Sequence, residues 1–454
     1  MNINSNRNFL NISEWRLTPY QILSLGIAAL VLSGAFLLML PLSSQSGESM
    51  PFVDALFTAT SAVCVTGLVV VDTGNYFSLF GQLVIIFLIQ CGALGFMTMA
   101  TLMAILMRKK VHLRNRLIMQ EALNQLTLAG IVKLVKYIIK STLLIEFIGG
   151  TILAIRFYVD FGATGIYYGY WHAISAFCNA GFDIIGSKNG NLFPYVDDFI
   201  VNITLTSLII LGGLGFAVIA DITTTKKFKF FALHTKIVLA TTVFLVFGGM
   251  FYILLMDYYN TETLSGLSLT GKLLASYFQS VTLRTAGFAT LPIGELTNAS
   301  IFAMMILMFI GASPSSTGGG IKTTTFAVVI ASIWSQIRGH EDTVLFYRKI
   351  PNAMIQKAYT FTFISAALNC LAIMLLTMDN ANTESIPLFF EVISAFSTCG
   401  LSMGITPTLD SFSKYVLTIM MLIGRIGPVT FALALALKSQ KTKIKYPEGK
   451  IMIG

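Results

Sequence analysis

The chain has 454 residues, of which 55% are hydrophobic and 11% are charged. A soluble fold could not bury so large an apolar fraction, which indicates an integral membrane protein. The five cysteines are too widely spaced for a disulfide framework or a zinc motif, and the net charge of +9 does not predict a nucleic-acid partner in a chain of this class.

Eight apolar segments are long enough to cross a membrane, which takes about 17 to 25 helical residues. They cover residues 19–40, 80–107, 131–157, 202–224, 236–256, 301–337, 353–378 and 414–437. Within each successive pair lies a shorter apolar stretch that cannot span, at residues 52–63, 171–177, 273–282 and 388–396. Each short stretch runs into a glycine-containing loop, so the order is span, half-helix, loop, span, four times.

The loops themselves are similar in sequence: SAVCVTGL (61–68), SAFCNAGF (175–182), SVTLRTAGF (280–288) and SAFSTCGL (394–401). The serine lies six residues before the glycine in three copies and seven before it in the third, which we interpret as a one-residue insertion after Ser280. The span after each loop contains a second related motif, GALGF, GGLGF, GASPS or GRIGP. A period of about 110 residues found twice in each unit predicts four homologous units around one axis.

This repeat divides the chain into an N-terminus (1–18), four pore units (19–110, 111–229, 230–340 and 341–440) and a tail (441–454). Most lysines and arginines lie in the N-terminus, the tail and the segments between units. Basic residues accumulate on the cytoplasmic side, so both termini of this multi-pass protein are expected there and the glycine loops enter from outside.

The loops have the chemistry of a cation site. A half-helix that stops inside the membrane directs its C-terminal dipole, equivalent to about −0.5 charge, at the loop that follows. Glycine lets the loop backbone turn its carbonyl groups inward, where rings of carbonyl oxygens can replace an ion's hydration shell. One such loop could be an ordinary helix cap, whereas four copies at matched positions favour an ion site.

VTGL in the first loop, CNAGF in the second, RTAGF in the third and GRIGP in the last span together resemble the Trk/Ktr/HKT superfamily of potassium transporters. The bacterial Ktr-type membrane subunit is the most similar branch, over essentially the whole chain. The resemblance implies an all-α integral membrane fold with eight transmembrane helices and four re-entrant pore loops around one central pore. It implies potassium at Gly67, Gly181, Gly287 and Gly400, and a selectivity filter formed by Val65, Thr66, Gly67, Asn179, Ala180, Gly181, Thr285, Ala286, Gly287, Thr398, Cys399 and Gly400.

The same resemblance implies the protein's partners and cargo. It predicts potassium uptake across the cell membrane, with sodium as a candidate activator and no organic cofactor in this chain. A homodimer in the lipid bilayer is expected, resting on a cytoplasmic ring of nucleotide-binding regulatory subunits, with segments 114–125 and 446–454 as docking and dimer contacts. Glycine at position 67 implies potassium, since serine there accompanies sodium selectivity in the plant branch.

The sixth span contains GASPSSTGGGIK, which cannot continue as one helix because of its proline and three consecutive glycines. The second spans of units one and two are expected to be unbroken. We interpret the break as a gate under the filter, with a static kink as the alternative. The gate residues are Gly311, Ala312, Ser313, Pro314, Ser315, Ser316, Thr317, Gly318, Gly319, Gly320 and Lys322.

Arg425 falls in the middle of the last span, where an unpaired charge costs about 2.5 to 3.5 kcal/mol. The resemblance places it in the pore below the filter as a barrier to cations. The alternative is a buried ion pair with Asp221 or Glu146 that locks helices together.

Three functions are compatible with this pattern. The first is a potassium-conducting uptake subunit, and the second is the ion-binding subunit of an ATP-driven potassium pump. The third is a membrane enzyme or metal site built on Cys64, Cys178 and Cys399, which lacks a matching histidine. The sequence favours the first and predicts that the protein is not an enzyme.

Overall fold

The computed structural model describes residues 18–95, 98–99, 119–120, 131–186, 192–380, 383–428 and 430–431. The expectations for residues 1–17, the tail 441–454 and most of segment 114–125 lie outside these residues. The described chain is helical, apart from one two-stranded hairpin in which β1 (Val344–Leu345) pairs antiparallel with β2 (Arg348–Lys349).

The helices follow the order of the repeat. The first quarter contains α1 (Pro19–Leu38), α2 (Phe52–Cys64), α3 (Thr73–Tyr76) and α4 (Leu79–Leu94). The second contains α5 (Ile131–Phe161), α6 (Ala163–Phe177), α7 (Phe199–Leu214) and α8 (Phe216–Thr225). The third contains α9 (Leu233–Asp257), α10 (Leu269–Thr282), α11 (Asn298–Phe309) and α12 (Thr323–Ile337). The fourth contains α13 (Asn352–Asp379), α14 (Ser385–Ser397) and α15 (Ser411–Ile426).

The helix that follows each glycine loop begins in the same way. α4, α7, α11 and α15 each start after a side chain that accepts a hydrogen bond from a first-turn backbone N–H, namely Ser78, Asp198, Thr297 and Asp410. Such caps satisfy N–H groups that have no partner within the helix. The local sequence therefore determines where the chain turns back towards the membrane.

Four of the described helices, α1, α5, α9 and α13, are long and apolar enough to cross a membrane; a bent pair, α7 and α8, would make five. α4, α11 and α12 are apolar but contain only 12 to 16 residues, and α15 has 16 residues and includes Lys414 and Arg425. The eight-span count stays a prediction. Large apolar side chains such as Phe244 and Phe363, 69% and 77% exposed, cover the outside of the long helices, as lipid-facing surfaces require.

One expectation about the spans is wrong. The second span of unit two is broken at Gly215, where α7 and α8 meet at 96°. Gly215 has a φ of +92°, and α4 and α15 also end at glycines with positive φ, Gly95 (+83°) and Gly427 (+93°). This backbone region is readily accessible to glycine. The interruption is therefore a feature of several units, and within the described ranges it becomes a long loop only in the third.

The helices close into a ring. Within each unit the half-helix (α2, α6, α10 or α14) packs against the long helix before it, α1, α5, α9 or α13. Between units, α4 contacts α6, α7 contacts α10, α11 contacts α14, and α15 returns to contact α2. Each of these helices thus lies against the half-helix of the next unit, which brings the ends of all four half-helices together.

Candidate functional site

The four glycine loops share one backbone conformation. The residue two positions before each glycine is left-handed, at Val65, Asn179, Thr285 and Thr398, with φ between +52° and +65°. The glycines themselves have φ of +95° (Gly67), +69° (Gly181), +80° (Gly287) and +89° (Gly400). Left-handed backbone is disfavoured for residues with a Cβ, so each loop is held in a conformation that its neighbours must stabilise.

The loops contact one another in cyclic order. A Cβ on Gly67 would overlap the carbonyl oxygen of Ala180, and one on Gly181 would overlap that of Ala286. A Cβ on Gly287 would overlap the carbonyl oxygen of Cys399, and one on Gly400 would overlap that of Thr66. All four approaches are closer than 3.0 Å. Each glycine thus lies against the carbonyl group that precedes the next loop's glycine, and the sequence of contacts closes on itself.

Buried side chains hold each loop on its half-helix. Ser61 and Ser394 accept hydrogen bonds from the N–H groups of Gly67 and Gly400, each at 3.0 Å. Ser175 donates to the carbonyl oxygen of Phe182 at 2.9 Å.

In unit three the bond that matches that of Ser175 comes from Thr282, which donates to the Phe288 oxygen at 2.6 Å. Ser280 instead donates to the Val246 oxygen of α9 at 2.6 Å. The interpretation of Ser280 as the matching serine, followed by an insertion, is therefore wrong. Thr282 holds the third loop as Ser175 holds the second, and the segment from Thr282 to Gly287 is one residue shorter than that from Ser175 to Gly181.

Several side-chain oxygens in the loops are buried but have no hydrogen-bond partner among the described residues. They are Thr66 Oγ1, Asn179 Oδ1, Thr285 Oγ1 and Thr398 Oγ1. A buried polar oxygen without a partner costs free energy unless something fills its place. Three of the four belong to the left-handed residues, so these oxygens are gathered where the half-helices end.

The Gly311–Gly320 segment lies directly beside the loops. A Cβ on Gly318 would overlap Thr285 Oγ1, and one on Gly319 would overlap Thr398 Oγ1. The segment is also bound to unit two, since the N–H groups of Ser313 and Thr317 donate to the oxygens of Gly213 and Gly212 at 3.0 and 3.2 Å.

Two more hydrogen bonds hold the same segment. The Phe216 N–H donates to the Ser315 oxygen at 2.9 Å, just past the break at Gly215. Thr317 Oγ1 donates to the Phe177 oxygen at 3.3 Å, at the end of α6. The segment therefore occupies a defined place across unit two.

Arg425 connects this segment to the first unit. Its Nη1 donates to the Thr317 oxygen, and its Nη2 donates to the Gly92 oxygen and, at 3.1 Å, to the Ala93 oxygen. Among the described residues Arg425 forms no ion pair, and Asp221 bonds instead to Thr225, Ala232 and Thr235. Glu146 accepts hydrogen bonds from Gln90, so the ion-pair alternative with Asp221 or Glu146 is not what the structure shows.

Comparison with known proteins gives the family of this chain. The profile of the TrkH family, described as a cation transport protein, matches residues 15–445. The chain belongs to the TrkH family. It is 44% identical over 448 residues to the Ktr system potassium uptake protein B of Bacillus subtilis, covering 98% of each chain. It is 39% identical over 449 residues to the potassium/sodium uptake protein NtpJ of Enterococcus hirae, covering 97% of this chain and 98% of that protein.

The fold of this TrkH-family chain also matches a solved structure. The potassium transporter TrkH from Vibrio parahaemolyticus superposes with a TM-score of 0.71 over 93% of this chain and 86% of that one, at 17% identity. The expectations of a predominantly helical membrane protein, of this family and of a transport protein rather than an enzyme are confirmed.

Other predicted residues have more local roles in this TrkH-family chain. Lys322 turns back on its own segment, and its Nζ donates to the Gly318 oxygen at 2.8 Å. Cys64, Cys178 and Cys399 are buried, and no group of three metal-ligating side chains occurs within the described ranges.

The glycines of the second spans are contact points that sequence reasoning missed. A Cβ on Gly92, Gly212 or Gly424 would overlap the carbonyl oxygen of Val63, Phe177 or Phe396, near the end of each half-helix. The repeated GxxG-like motifs could have suggested such close helix contacts, as small residues do at membrane helix interfaces.

Proposed function

We propose that this protein takes up potassium through a selectivity filter formed by the four glycine loops. The observation that carries the proposal is the closed ring in which each loop glycine lies against a carbonyl group of the next loop. Carbonyl oxygens arranged in this way can replace the water around a dehydrated potassium ion. The half-helices end at Cys64, Phe177, Thr282 and Ser397, so their negative dipole ends face the same ion.

The ligands would come from Val65 to Gly67, Asn179 to Gly181, Thr285 to Gly287 and Thr398 to Gly400. The buried oxygens of Asn179, Thr285 and Thr398 have no hydrogen-bond partner among the described residues, which supports a role for them at the inner end of the filter. The names of the Bacillus and Enterococcus relatives support potassium as the cargo, and the latter keeps sodium as a candidate second ion.

The Gly311–Gly320 segment would be the gate. Its contacts with Thr285 and Thr398 place it against the filter loops, and its bond to Arg425 adds a fixed positive charge at the same point. Positive charge there opposes a cation in transit. A gate would have to break the hydrogen bonds to Gly212, Gly213 and Phe216, and all three lie around the break in unit two.

The assembly is also part of the proposal. A homodimer that rests on a cytoplasmic ring of nucleotide-binding subunits fits relatives whose names describe them as part of a Ktr system. Both termini would be cytoplasmic. The mass of the purified protein in detergent tests the dimer, and the accessibility of terminal tags to membrane-impermeant reagents tests the orientation. The Bacillus and Enterococcus relatives are named as uptake proteins, so the pump-subunit alternative is not favoured.

The decisive experiment is growth of a potassium-uptake-deficient bacterium that expresses the chain, together with Gly67→Ser and Gly400→Ser. At both positions a Cβ would overlap a carbonyl group of the neighbouring loop, and the φ is positive. We expect the wild type to restore growth at low potassium and both variants to lose potassium preference over sodium.

Gly248→Ser is the matched control, because a Cβ at Gly248 meets no atom within 4 Å. It should support growth like the wild type. Failure of the wild type to restore growth, or unchanged ion preference in both filter variants, would refute the proposal.

A further inference from the structure

In two of the four half-helices, a buried polar side chain contacts the chain just after the glycine of its own loop. His172 in α6 and Glu391 in α14 each lie three residues before the serine that holds the loop, and both are 0% exposed. Each contacts the residue two positions after its loop glycine, which is Asp183 in unit two and Ser402 in unit four. The same pair of positions is therefore bridged in two units.

The bridge in unit two joins an imidazole ring to a carboxylate. His172 Nε2 lies 2.7 Å from Asp183 Oδ1, and the side chain of Asp183 is only 9% exposed. His172 Nδ1 lies 2.7 Å from the carbonyl oxygen of Tyr168, which can only accept, so this nitrogen carries a proton and the ring is fixed in orientation. Asp183 also accepts from the Ile185 N–H at 2.8 Å.

The bridge in unit four has different chemistry but the same place. One carboxylate oxygen of Glu391 accepts from the Ser402 hydroxyl, and the other accepts from Thr406 Oγ1 at 3.0 Å. Ser402 Oγ also accepts from the Gly404 N–H at 2.9 Å. The buried carboxylate of Glu391 thus binds the chain after the glycine of loop four at two residues, Ser402 and Thr406.

In the described part of the chain, units one and three lack such a bridge. The positions two residues after their glycines are Val69 and Ala289, which have no polar side chain. The half-helix position that matches His172 lies three residues before the residue that holds the loop. It is Thr58 in unit one, before Ser61, and Gln279 in unit three, before Thr282. The side-chain polar atoms of Thr58 and Gln279 have no hydrogen-bond partner among the described residues.

We propose that His172–Asp183 and Glu391–Ser402 are positioning pairs that hold loops two and four, opposite each other in the ring, and thereby set the discrimination between potassium and sodium. The inference rests on the proposed filter. Loops one and three keep their shape through contact with these two braced loops. Loss of a brace lets the glycine carbonyls of that loop relax towards an arrangement that also fits the smaller ion.

The test is ion flux into vesicles of phosphatidylethanolamine and phosphatidylglycerol that contain the full-length chain. Potassium and sodium fluxes are measured separately and expressed as a ratio for Asp183→Ala, Ser402→Ala and His172→Phe, each normalised to the amount of inserted protein. Loss of a hydrogen bond to a charged group can shift an equilibrium roughly tenfold, and we expect the flux ratio to fall by about that factor. The double variant His172→Phe/Asp183→Ala should resemble either single variant, because both remove the same contact.

Thr58→Val is the matched control, since it changes the equivalent half-helix position where there is no bridge. It should leave the flux ratio within about twofold of the wild type, as expected when no interaction is lost. A variant that fails to insert is replaced by Asp183→Asn or Thr406→Val, which alter the same bridges more gently.

Gly67→Ser separates this inference from the proposed function. If Gly67→Ser lowers the ratio while the brace variants keep it, the braces do not set selectivity and the filter still stands. If the brace variants reduce both fluxes equally, their role is only structural and the inference is overturned. If neither Gly67→Ser nor any brace variant changes the ratio, the filter itself is refuted.

Discussion

Arg425→Ala should raise potassium flux through the isolated protein. The guanidinium holds the Gly311–Gly320 segment through Thr317 and anchors it to Gly92 and Ala93 of the first unit. A hydrogen bond from a charged donor contributes about 1.5 to 3 kcal/mol, and only the bond to Thr317 belongs to the moving segment. Since about 1.4 kcal/mol is a factor of ten in an equilibrium constant, the ratio of closed to open protein should fall roughly 10- to 100-fold.

Loss of the charge acts in the same direction. Two unit charges about 8 Å apart repel by roughly 2 kcal/mol at an effective dielectric constant of about 20, so a passing ion meets a lower barrier. The two effects share one side chain and will not simply add. We therefore expect a rise in flux of at least roughly tenfold, within the range that the hydrogen bond alone allows.

The assay is potassium flux into vesicles that contain the full-length chain, normalised to inserted protein. Arg425→Lys separates the two effects, because lysine keeps the charge but cannot reproduce the planar fork that reaches Thr317 and Gly92 together. Its flux should lie between those of the wild type and Arg425→Ala. Wild-type flux in a correctly inserted Arg425→Ala would refute both the gate and the barrier roles.

Two further predictions concern the gate and the contact between the first and last units. Deletion of residues 314–320 should raise potassium flux as Arg425→Ala does. Ser316→Gly keeps the segment's length and should leave the flux low. Equal flux in the deletion variant and the wild type would favour a static kink. Lys414 and Asp54 join α15 to α2 at 2.8 Å with side chains only 13% and 23% exposed, so a double-mutant cycle on thermal unfolding in detergent should give a coupling of about 1 kcal/mol. The exposed pair Lys349–Asp342 (59% and 48%) is the matched control and should give close to zero; equal couplings would contradict the argument from burial.

Five acidic residues, Asp54, Asp72, Asp183, Asp198 and Asp410, show why the role of a charged side chain is hard to interpret from sequence. Asp72 and Asp410 cap helices, Asp54 and Asp198 form ion pairs, and Asp183 contacts His172. Their carboxylates are thus occupied by neighbours that are distant in the chain or by local backbone groups. These five residues thus stabilise the local structure of the segments in which they lie.

The half-helices and the glycine loops were predictable from sequence alone. The stretch expected at residues 52–63 is the helix Phe52–Cys64, and that expected at 388–396 is Ser385–Ser397. Apolar length and a following glycine determine these elements, because both signals act within a few residues of the chain. α6 begins eight residues earlier than expected, since its first turns are rich in glycine and tyrosine rather than aliphatic residues.

Only the tertiary structure decided what the loops and breaks contact. Gly215 lies in a segment that looks like one uninterrupted apolar helix, yet the chain bends there at a positive φ, and the Phe216 N–H bonds to Ser315 of another unit. In the same way, Thr282 rather than Ser280 holds the third loop, and Arg425 bonds to carbonyl groups rather than to an acid. The sequence determined four similar loops, because helix ends and glycine conformations are local. Their order around the ring, and the side chains that brace two of them, depend on contacts between residues about 100 positions apart, which no local pattern encodes.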